Sequence, residues 1–379
     1  MSINPTEPGP AASGDEPSRH GPLGGGPCRD ARPAQPALGL RGLVLVVPIA
    51  VALAIGAGGD GSVLVIGPLV TLSLPLVVMV AFWWNGRPGI RLRPAWSGWA
   101  DTALIAAGAV VLAGIGQAAV GGFDLAGLFD PHPGPGHVPT FPATLTLGGA
   151  AFVAMLQLTL VGEGRPLHRL PRLPAGLLAV AVSWAIALAV SRTLVRIDAP
   201  AGSDVTAHGG PVSGAGAGAV LISISAWQVL FYVVWGGWPY SLINRSAARL
   251  TVAHVTVLGG VLTFAAGHAL GLDATRIAAL AGCFAAAGLL FGMLFEGWIR
   301  GRAARPVLLV LTAAAAALLA AGLDAIAATV HFTDADTDDW VEHASLNALS
   351  TSIILHVAIG RRWPFASRRA LSENSTGKE

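Results

Sequence analysis

Charge is scarce in this chain. Asp, Glu, Lys and Arg make up 12% of its 379 residues, about half of what a water-soluble domain carries. Too little polar surface exists to cover a soluble body of this size. Lysine is almost missing, with Lys378 alone against 22 arginines; the bias points to a GC-rich bacterial coding sequence. The two cysteines are Cys28, in a polar stretch, and Cys283, in an apolar one, so no disulfide is expected. No apolar run precedes Arg41, which argues against a cleavable signal peptide and against lipoprotein attachment at Cys28. Also absent are a Gly-rich phosphate loop ending in Lys-Ser/Thr, a His-Glu-x-x-His pair and a serine-nucleophile motif. No enzymatic chemistry and no nucleic-acid partner are expected.

Long apolar runs stand where charge is missing. The chain is 53% hydrophobic with a mean hydropathy of +0.64. Ten apolar segments follow one another, at 42–59, 62–84, 101–121, 144–162, 175–195, 215–236, 250–271, 275–297, 306–330 and 341–361. Most can cross a hydrocarbon core of about 30 Å at about 1.5 Å per residue. Pro48, Pro68 and Pro75 interrupt the first two, where kinked or re-entrant helices are the alternative. The pattern predicts an all-α integral membrane protein of about ten transmembrane helices over 40–364. Residues 1–39, with eight Pro and seven Gly, read as a disordered tail, and 365–379 as a flexible one.

Basic residues fix the expected orientation. The N-terminal stretch, the links after the second, fourth, sixth and eighth segments, and the C-terminal end hold 20 of the 23 Lys and Arg; only Arg192, Arg196 and Arg276 fall on the other side. By the positive-inside rule both termini are cytoplasmic, in what reads as a bacterial plasma membrane. The opposite links are acidic, with Asp124, Asp130, Asp198, Asp204, Asp273 and the cluster Asp334, Asp336, Asp338, Asp339 and Glu342.

The even segments end in similar phrases: Trp84-Asn85-Gly86-Arg87-Pro88, Gly162-Glu163-Gly164-Arg165-Pro166, Trp235-Gly236-Gly237-Trp238-Pro239, Phe295-Glu296-Gly297-Trp298 and Arg361-Arg362-Trp363-Pro364. Such phrases stop a helix at the inner interface. Four odd segments carry a polar residue at similar depth: Gln117, Arg192, His268 and Asp324. Together these features read as five tandem two-helix hairpins, related by an axis along the membrane normal. Generic interfacial composition is the competing explanation.

Ionisable groups inside a bilayer are functional candidates. Asp324 stands in an Ala/Leu run, with Arg192 and His268 as expected partners and His331 on roughly the same helical face. These residues and Gln117 form the candidate substrate or proton path of a permease-like protein passing a small solute or ion. The competing reading of Asp324 is a buried ion pair that orients helices, as in a non-catalytic scaffold or accessory subunit. Glu163 and Glu296 read as interfacial caps. No cofactor is expected, but one alternative is a redox protein. There, His254 and His268, 14 apart on one segment, would pair with His356 and His343 to hold haem b or a metal. The 13-residue spacing of His343 and His356 argues against it, putting them about 140° out of phase. The run Asp334 to Asp339 begins like a calcium loop but has Asp339 where Gly is needed and Ser345 where Glu is needed; it reads as a solvated loop. Asp130, His132 and His137 offer metal-ligand side chains, but the Pro-rich link that holds them reads first as a rigid connector.

Overall fold

The computed structural model describes residues 35–197, 202–239, 246–299 and 303–365. The expected tails, apart from residues 35–39 and 365, lie outside the described residues, as do Asp198, Arg245, Arg300 and Arg302.

Each of the ten apolar segments is a helical run. They are α1 (Ala37–Ile55), α2 (Gly59–Trp83), α3 (Pro94–Val120), α4 (Leu145–Val161), α5 (Arg172–Leu194), α6 (Gly214–Val234), α7 (Ser246–Ala269), α8 (Ala274–Leu294), α9 (Ala304–Ala327) and α10 (337–359). Seven of these, all but α4, α7 and α10, are long and apolar enough to cross a membrane. The chain is thus a polytopic, mostly helical membrane protein. Ala, Leu and Val favour this outcome because only a helix satisfies every backbone amide within its own segment once water is gone. α1 and α2 run on through Pro48 and Pro75 as continuous helices. One feature departs from an all-α body. A small sheet joins β1 (Val195–Ile197), β2 (His208–Gly209) and β3 (Val212–Ser213) in the order β2-β1-β3, with β1 antiparallel to β2 and parallel to β3.

The even helices form a closed ring. α2 packs on α4, α4 on α6, α6 on α8, α8 on α10, and α10 returns to α2. The odd helices stand outside it: α3, α5, α7 and α9 pack on α2, α4, α6 and α8, and α1 packs on α10. Each also touches the end of the even helix one step further back: α3 that of α10, α5 of α2, α7 of α4, α9 of α6 and α1 of α8. Burial follows this plan. In the most apolar window of each helix, 78% of α2 is buried but only 17% of α9. Small residues permit the close approaches that hold such a bundle without a hydrophobic driving force. At Gly260 on α7, a Cβ would stand 2.7 Å from the Ile224 amide nitrogen of α6.

The ends of the even helices share one geometry. The last turn widens, with an amide bonding to the carbonyl five residues back: Trp84 to Met79 (2.9 Å), Gly162 to Gln157 (2.8 Å), Trp235 to Leu230 (2.9 Å), Phe295 to Leu290 (2.9 Å) and Gly360 to Leu355 (2.6 Å). The chain then turns left-handed at Asn85 and Gly86, Glu163 and Gly164, Gly236 and Gly237, Gly297, and Arg361 and Arg362. Glycine takes this conformation at little steric cost, which explains its recurrence in the terminal phrases. Arg87, Arg165, Arg305, Arg361 and Arg362 gather at this end of the bundle, here called the basic face; Asp60, Asp124, Asp273, Asp334 and Asp339 mark the opposite, acidic face.

Candidate functional site

The ring encloses a cavity of about 310 Å³. All five even helices line it, through Thr71 and Leu74 of α2, Thr146 and Phe152 of α4, Leu221 and Ser225 of α6, Ala278 of α8, and Asp339, Glu342 and Leu346 of α10. Phe141 and Pro142, ahead of α4, and Arg196, Ile197 and Ser213 of the sheet complete the wall near the acidic face. The three α10 residues are spaced i, i+3 and i+7 and so share one helical face. By position along each helix, the cavity reaches about halfway to the basic face. Beyond it Val77 and Met155 are buried in one apolar cluster, and Val229 and Ile353 in another.

The walls are mostly carbon, which makes their polar groups informative. Among the described residues no hydrogen bond or ion pair reaches the half-buried Glu342 side chain. Asp339 closes a capping box at the start of α10: its amide donates to Asp336 Oδ1 (2.8 Å), and its own Oδ2 accepts from the Asp336 amide (3.4 Å). Burial, and then repulsion from Asp336, raises the Asp339 carboxyl to about 6, partly offset by that amide. On the helix 2 side, Thr71 Oγ1 donates to Asn347 Oδ1 (3.1 Å). Close by, His343 contacts the Leu53 carbonyl through Nε2 (3.0 Å), while its buried Nδ1 has no partner.

The acidic face is tied around the mouth. Arg276 of α8 donates to both Asp324 oxygens (2.8 Å each) and to Asp338 Oδ1 (2.9 Å), joining α8, α9 and α10. Asp60 accepts from the amides of Thr333 (2.8 Å), Asp334 (3.3 Å) and Ala335 (3.1 Å). His132 reaches Asp334 (2.8 Å) and His137 reaches Asp124 (2.8 Å). Burial pushes the Asp124 carboxyl up, but the Val138 amide, the His137 ring and the Gly127 and Ala126 amides hold it below the usual range.

The basic face is clasped by two arginines in the turn that ends α10. Arg361 bonds Ser97 Oγ, the Gly86 carbonyl (2.7 Å) and the fully buried carboxylate of Asp101 (3.2 Å), which also accepts from the Gly89 amide (2.8 Å). Arg362 donates to the Leu294 (3.0 Å) and Met293 carbonyls at the end of α8, where a cation suits the exposed C-terminal carbonyls. Both arginines are left-handed, a conformation costing a non-glycine residue about 1–2 kcal/mol. These contacts account for its persistence.

The residues singled out from the sequence are not brought together. Asp324 pairs with Arg276, not with Arg192, His268 or His331. Arg192 donates to the Ala119 carbonyl (2.6 Å), and Gln117 bridges the Val138 carbonyl (2.6 Å) and the Asp124 amide (3.2 Å). His268 is exposed and stacks on Phe264 (6.1 Å); His331 is exposed. None of them lines the cavity. The reason is lateral: equivalent depth on odd helices places these groups around the outside of the ring. Nor do the four histidines converge. α7, with exposed His254 and His268, packs on α6, whereas buried His343 and His356 belong to α10, which packs on α1 and α8. Among the described residues no group of three or more His, Cys, Asp or Glu is arranged to hold a metal. Glu296 meets Arg362 at 3.7 Å, as a basic-face cap. Sequence reasoning missed Asp339 and Glu342 as cavity residues, having placed them in a solvated loop. Their spacing with Leu346 was the available signal.

Comparison of the chain with family models, curated proteins and solved structures returns no match.

Proposed function

We propose that this chain is a permease of the bacterial plasma membrane, with ten membrane-spanning helices arranged as five tandem hairpins and both termini cytoplasmic. The observation that carries the reading is the cavity within the even-helix ring, lined by groups from all five members. Its lining residues lie toward the acidic face, and the Arg361–Asp101 clasp stands at the opposite, basic face. A mostly apolar cavity with a few polar groups, set toward one face of a helical ring, is what an outward-open carrier presents. The recurrent caps and the regular packing of odd on even helices support a hairpin repeat. The arginines of the basic face support its cytoplasmic placement.

A scaffold or accessory subunit is the second reading, favoured by one observation: Asp324 is held in an ion pair that joins three helices. Thiol labelling separates the two. In a chain with Cys28 and Cys283 replaced by Ala, Ser225→Cys should react with a membrane-impermeant maleimide added outside, and Ile353→Cys should not. Reconstituted protein should then exchange solute across the vesicle wall, and the purified protein should respond thermally to that solute. A closed Ser225 position, or labelling from the cytoplasmic side alone, would sink the permease reading and leave the scaffold.

A further inference from the structure

We infer that the cavity is a binding site for an organic monocation with an apolar body, and that Glu342 supplies its counter-charge. The inference rests on the permease reading for its biological use, but the site stands on its own geometry. A carboxylate set among carbon walls needs a proton or a cation beside it, because burying an unpaired charge is expensive. Glu342 has neither hydrogen-bonding nor ionic partner among the described residues. The charged groups on the surrounding elements do not fill that role. On α10 itself, Asp336, Asp338 and Asp339 add negative charge. On α8, Arg276 is engaged by Asp324 and Asp338. On β1, Arg196 is exposed at the mouth and has a contact of its own.

Size and lining select the ligand class. A cavity of about 310 Å³ lies at the small end of ligand pockets, which span roughly 300–1,000 Å³. A metal cation would need about six or more oxygen ligands in a shell, and the walls instead offer Leu74, Leu145, Phe152, Leu221 and Leu346. Phe141 and Phe152 add aromatic faces, which attract a cation bearing alkyl groups. A quaternary or protonated amine with a hydrocarbon body meets both demands; a carboxylate or phosphate ligand would face Glu342 and Asp339 directly.

The test uses the full chain purified in detergent, with benzyltrimethylammonium as probe, benzenesulfonate as its anionic counterpart and benzyl alcohol as the neutral one. Calorimetry should show saturable binding of the ammonium in preference to both others. Glu342→Gln should weaken that binding by roughly tenfold or more. Leu221→Trp, which fills the cavity and leaves the carboxylate in place, should also remove it. Asp324→Asn, outside the cavity, should bind as the unaltered chain does. The proposal is overturned by preference for the sulfonate or the alcohol, by absence of saturable ammonium binding in protein that melts cooperatively, or by equal affinity in Glu342→Gln. Vesicle flux keeps the two readings apart. Binding without flux overturns the permease and leaves the cation site, whereas flux of a neutral or anionic solute overturns the cation site alone.

Discussion

Asp339 couples the acidic face to pH. Its carboxyl titrates near 6 in the folded protein against an ordinary value of 3.8. Between those values the unfolded chain has lost a proton that the folded protein keeps, so the contribution of Asp339 to stability is fullest below 3.8, falls as pH rises to about 6, and levels off above. Asp339→Asn removes that slope. Its thermal midpoint, followed from about pH 4 to 8, should decline less than that of the unaltered chain and exceed it at the alkaline end. Arg276 works by charge pairing at the same face. Removing it leaves Asp324 and Asp338 without their shared partner, at a cost of about 1–3 kcal/mol. Denaturant unfolding of Arg276→Gln should show that loss, and adding Asp324→Asn should recover part of it, because the two substitutions act on one contact. A fully additive pair would mean that the ion pair contributes nothing. Asp324 stands out in the sequence by its apolar setting; its partner Arg276 does not. Arg276 lies 48 residues away, and lateral neighbours in a bundle leave no local trace.

At the scale of elements, helix ends carry the sharpest signals. Most boundaries read from apolar runs agree with the observed helices within about four residues, since leaving the hydrocarbon and ending the helix obey the same composition rules; α3 instead begins at Pro94, seven residues before its apolar run. The terminal phrases announced a stop, and the left-handed glycines supply it. The widened last turn was invisible because it is a hydrogen-bond pattern that many sequences can adopt. The sheet was invisible for a related reason: its three strands have three, two and two residues, too few for an alternating pattern. Gly86, with φ of +72°, closes α2 beside Arg361. Gly86→Ala should lower stability by about 1–2 kcal/mol, while Gly122→Ala, where a Cβ meets nothing within 4 Å, should change little. Gly260→Ala must push α7 away from the Ile224 backbone and should cost about 1–3 kcal/mol. Thermal midpoints of the three variants, measured side by side, check all of these; equal midpoints would remove the backbone account.

The whole molecule divides into a ring and a rim, and solvent should respect that division. Val44 (66% exposed), Val111 (62%) and Leu318 (76%) lie on odd helices, whereas Leu72, Met155 and Ile353 on even helices are inaccessible. Spin labels at the first three should be relaxed by oxygen dissolved in the bilayer, and labels at the last three should not. Truncating Met155 or Ile353 to Ala should cost about 2–5 kcal/mol, with Leu318→Ala much milder; the reverse order would refute the arrangement. The ring itself could not be read from the chain, because apolar spans reveal how many helices exist but not which are neighbours. Its membership is odd. Five staves cannot be parted into matching halves, so any hinge leaves three against two. A seesaw between equivalent lobes is closed to this body. If the chain is the permease proposed above, its motion falls to the smaller group, or to single staves turning in sequence, as the leaves of an iris do.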